Sequence, residues 1–117
     1  MADFSAGGVS FTWDGDDLVP DELLTRALQA GAEHLLEESN RIAPIETGAL
    51  IRSGVARAEG GEAAVGYNTP YAVRQHEELG YQHDDGREAK YLENALLRNK
   101  DAIMETIADT IREGLGG

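Results

Sequence analysis

The chain has 117 residues, 41% of them hydrophobic and 27% charged, with 22 Asp and Glu against 10 Lys and Arg for a formal net charge of −12. That composition suits one folded domain with a modest core, and its cations are too few for binding nucleic-acid backbone by counterion release. With no Cys in the chain, disulfides and thiolate metal sites are excluded, and no apolar run approaches the roughly 20 residues that span a bilayer.

A single domain over 1–117 is expected, with loose glycine-rich ends at about 1–8 and 114–117. No basic-then-apolar leader opens the chain, so a soluble protein used without export is the expectation. Val9-Ser10-Phe11-Thr12-Trp13 alternates apolar and polar residues and reads as a short strand with Val9, Phe11 and Trp13 on one face. Asp14-Gly15-Asp16-Asp17 ends it. Pro20 then suits a first helical position, with Asp21 and Glu22 favourable to the helix dipole. Leu24, Leu28, Gly31, Leu35 and Ile42, widened by Leu23 and Ala27, form a stripe at helical spacing. Gly31 on that stripe would let another backbone approach closely. Pro44 forces Ala43 out of helical geometry, so the helix should run from about Pro20 to Ile42.

After Thr47-Gly48, residues 49 to 53 read as a turn leading into a strand at about Ser53 to Ala58. Gly60-Gly61 is the expected hairpin tip, and Ala63 to Tyr67 the return strand with Val65 and Tyr67 on one face. Pro70 closes that strand because it donates no ladder hydrogen bond. Tyr71 to Leu79 fits a short helix or a strand equally, and Gly80 to Gly86 is a loop by composition. From about Ala89, Leu92, Leu96, Ile103, Ile107, Ile111 and Leu115 make a second helical stripe, reinforced by Ala95, Met104 and Ala108. Asn99-Lys100-Asp101 interrupts it, which allows a bend or a partner contact there. The expected fold is α+β, a small antiparallel sheet with a central hairpin packed by two long helices.

Catalytic signals are weak. His76, Glu77, His83, Asp84 and Asp85 carry metal-ligand chemistry, but their spacing fits no defined motif and ordinary loop polarity explains them better. Serines lack a nucleophile elbow or a positioned His and acid, and Gly60-Gly61 lacks the residues of a phosphate loop. No enzyme activity, cofactor or metal is expected. Tyr67, Tyr71, Tyr81 and Tyr91 suit core or interface packing with a wet hydroxyl better than base stacking.

The order of the punctuation signals resembles that of the tail-completion or head-tail joining proteins of long-tailed bacteriophages. In that family a first helix ends in Ala-Pro-x-x-Thr-Gly-x-Leu-x-x-Ser, matched by Ala43, Pro44, Thr47, Gly48, Leu50 and Ser53. An Asn-x-Pro-Tyr-Ala corner after the hairpin is matched by Asn68, Pro70, Tyr71 and Ala72. An acid and a Gly follow, for which Glu77 or Glu78 and Gly80 stand. The last helix opens on a Lys-aromatic-Leu-Glu-x-Ala pattern matched by Lys90, Tyr91, Leu92, Glu93 and Ala95. The chain departs from the family in having Leu79-Gly80-Tyr81 after the acid and no Pro before the last helix. The resemblance covers roughly Leu24 to Ile111.

It implies a non-enzymatic virion protein at the head-tail junction, assembled in the host cytoplasm as a ring, hexameric in the family, around the DNA path. Its partners would be other copies, the head-tail connector and the tail-tube or tail-terminator proteins, with no membrane and no specific DNA binding. Ring contacts are heterologous, so each copy needs two complementary patches. Arg52, Arg57 and Arg74 are candidates to pair with a neighbour's acidic clusters, solvation being the alternative. With Tyr71, Glu77, Glu78 and Tyr81 they make up the expected interface. A competing expectation is an acidic inhibitor that mimics DNA, which requires carboxylates on one continuous face.

Overall fold

The computed structural model describes residues 8–13, 18–43, 49–67 and 91–116. In chain order these hold β1 (Val9–Thr12), α1 (Asp21–Ile42), a one-turn α2 (Ala49–Arg52), β2 (Gly54–Glu59), β3 (Glu62–Tyr67) and α3 (Tyr91–Gly114). The three strands form an antiparallel sheet in the order β1-β3-β2, and the two long helices pack against it, as the α+β expectation requires.

The register follows from the alternation of side chains. Val9 lies opposite Val65 and Phe11 opposite Ala63 on one side of β3, while Ala56 lies opposite Val65 and Ala58 opposite Ala63 on the other. These residues, with Trp13 and Tyr67, face the helices and join the core. Ser10, Thr12, Val55, Arg57, Glu59, Glu62, Ala64 and Gly66 therefore share the opposite face. At the hairpin tip Gly60 has φ +60° and Gly61 does not, a type II′ pattern that suits the twist of the flanking strands. The tip is tied down twice: the Gly61 carbonyl accepts from the Trp13 N–H at 3.0 Å, and the Gly60 carbonyl from the Thr25 hydroxyl at 3.3 Å.

α1 begins one residue later than its sequence suggests, because Pro20 is the extended cap residue (φ −58°, ψ 146°) whose carbonyl accepts the Leu24 N–H. Its end falls at Ile42, with Ala43 extended at φ −72°, ψ 152° ahead of Pro44. The buried stripe contains Leu23, Leu24, Ala27, Leu28, Gly31 and Leu35, and also Ala32 and Ser39. Residues 49–52 form a helical turn rather than a plain turn.

α3 runs without a break through Asn99-Lys100-Asp101, where the Asn99 side chain donates to the Ala95 carbonyl at 2.9 Å. Tyr91, Leu92, Ala95, Ile103 and Ile107 are buried, whereas Met104 and Leu115 of the expected stripe are about half exposed at 48% and 55%. α1 and α3 cross at Gly31. A methyl there would stand 2.6 Å from Ile107 Cγ1, so the glycine makes room for a side chain of α3 and not for its backbone.

Candidate functional site

Among the described residues polar chemistry is concentrated at three places, with one further contact between the two long helices. The first is the end of α1 against β3. Tyr67 donates its hydroxyl hydrogen to Asn40 Oδ1 at 2.5 Å, so at 2.9 Å the Ser39 hydroxyl is the donor to Tyr67. Ser39 is fully buried. Burial of the phenol pushes the Tyr67 pKa up to about 12, against a smaller lowering by the Ser39 hydrogen bond. Tyr67 also meets the buried Tyr91 edge-on, with ring centroids 5.2 Å apart. The ring is core packing, as its sequence position suggests, but its hydroxyl is bonded within the protein instead of being wet. Among the described residues no base stands beside Ser39, and the group fastens α1, β3 and the start of α3 together.

The second place is the outer edge of β2. Ala56 and Ala58 turn their backbone groups away from β3, since alternate residues of an antiparallel strand point to opposite sides. Gln29 of α1 reaches around that edge: its amide nitrogen donates to the Ala56 carbonyl at 2.8 Å and its amide oxygen accepts the Ala58 N–H at 2.9 Å. The second amide hydrogen goes to Glu33 at 3.1 Å. One side chain thus occupies edge positions at which another strand would pair. Between the helices, His34 Nδ1 lies 2.8 Å from the Thr106 hydroxyl, which itself donates to the Ala102 carbonyl. The imidazole is therefore the donor in that contact.

The third place is the charged surface. Arg52 and Arg57 are both exposed, Arg57 on the sheet face that looks away from the helices. Neither forms an ion pair among the described residues. Tyr71, Arg74, Glu77, Glu78 and Tyr81, and the His76 to Asp85 cluster, lie outside the described residues. On α3, Asp101, Glu105, Asp109 and Glu113 are all exposed, and four-residue steps place them about 6 Å apart along the helix. Arg112 pairs with Asp109 and with Glu105. Further exposed acids sit on α1 at Asp21, Glu22, Glu33 and Glu37 and on β2 at Glu59. The carboxylates therefore occupy several surfaces instead of one continuous face.

Among the described residues no three His, Asp or Glu side chains converge to hold a metal ion, and no helix is long and apolar enough to cross a membrane. The Gln29 clamp has no sequence signal, because a Gln on the flank of an amphipathic helix looks like any solvated residue. No family model, curated protein or solved structure matches the chain.

Proposed function

We propose that the protein is a structural component of a long-tailed bacteriophage that completes the tail or joins it to the head, acting as a ring around the DNA path at the virion's head-tail junction. The observation that carries this reading is the ordered set of sequence motifs, whose described members sit at the joints of the fold. Ala43 is the extended, buried residue that ends α1, and Tyr91, Leu92 and Ala95 are the buried start of α3. A pattern that fixes helix ends and strand connections is what one fold shared by distant sequences needs.

The mechanism is assembly and involves no bond chemistry. The two exposed arginines of α2 and β2 meet carboxylates of a neighbouring copy, supplying unlike patches for a heterologous contact. Copies dock between the head-tail connector and the tail-tube or tail-terminator proteins. The acidic row of α3 suits a lumen through which DNA passes without sticking, because like charges repel there. Electron microscopy of the purified protein alone and mixed with isolated tails tests the reading: rings, free or seated on the tail end, are expected. Failure to bind tails or capsids at high concentration overturns it.

A second reading draws on that same row. Four carboxylates at regular spacing resemble a strand of phosphates, as in an acidic inhibitor that occupies a nucleic-acid enzyme. The spread of acids over α1, β2 and α3 and the Arg112 pairs within the row favour the ring.

A further inference from the structure

We draw no further inference here: the strongest candidate, the apolar groove between β1 and α3 walled by Phe11, Trp13, Leu97 and Met104, has nothing in the structure to show what covers it.

Discussion

Gly31→Ala adds a single methyl where α1 crosses α3. That methyl would lie 2.6 Å from Ile107 Cγ1 and 2.8 Å from Cδ1, although carbon atoms rest at about 3.5–4.0 Å. Something must move by about 1 Å. Ile107 cannot simply swing away, because it is 3% exposed and a β-branched residue in a helix holds one χ1 rotamer. Overpacking of this kind costs about 1–3 kcal/mol, and the better helix propensity of Ala returns about 1 kcal/mol. A net loss of about 1 kcal/mol is expected, or about 4 °C in Tm for a domain of this size, measured by urea and thermal unfolding. Ile107→Ala removes both clashing atoms and alone costs about 2–5 kcal/mol. In that background Gly31→Ala should become neutral or stabilising, giving a coupling of about 1–2 kcal/mol in a double-mutant cycle. If Gly31→Ala stabilises the unmodified chain by the full helix-propensity gain, or if the two changes add, the crossing is not where the packing argument puts it.

Gln29→Ala removes two hydrogen bonds from the β2 edge and should cost about 1–3 kcal/mol; it also leaves that edge open, so light scattering should show concentration-dependent association absent from the parent. Tyr67→Phe strands the buried Ser39 hydroxyl at a cost of about 1–3 kcal/mol in denaturant unfolding. Because the folded Tyr67 pKa is raised to about 12, the unfolded chain loses this proton first. Its contribution is whole below about pH 10, the unfolded value, and falls away up to about pH 12, by roughly 2–3 kcal/mol. The stability difference between parent and Tyr67→Phe should shrink across that window, and a constant difference would contradict the buried phenol. Arg57→Glu, on an exposed strand position, should leave unfolding unchanged within about 0.5 kcal/mol yet abolish ring formation in electron micrographs; intact rings would remove Arg57 from the interface.

Much of the fold is legible in the residues. The alternation of Val9, Phe11 and Trp13, the glycine pair at 60–61 and the apolar stripes of both long helices place the three strands and the two long helices within a residue or two, because each reports a local period or a backbone constraint; the helical turn at 49–52 carries no such signal. What the stripes miss is tertiary. Ser39 looks polar and is fully buried because Tyr67 satisfies it across 28 positions of sequence, and Gln29 reads as surface although it closes a sheet edge. Met104 belongs to the periodic stripe yet stays half exposed, since periodicity cannot say how wide the opposing sheet is. Of the expected interface residues only Arg52 and Arg57 fall within the described structure. Both are exposed and form no ion pair among the described residues, Arg57 on a strand face and Arg52 at the end of α2.

The role proposed for this chain is to join parts of a virion. Electron micrographs of particles assembled by a phage that lacks the protein test it most directly: DNA-filled capsids and finished tails lying separate are the predicted result, rejoined when the purified protein is added back. Capsids still firmly attached to complete tails in its absence would contradict the claim.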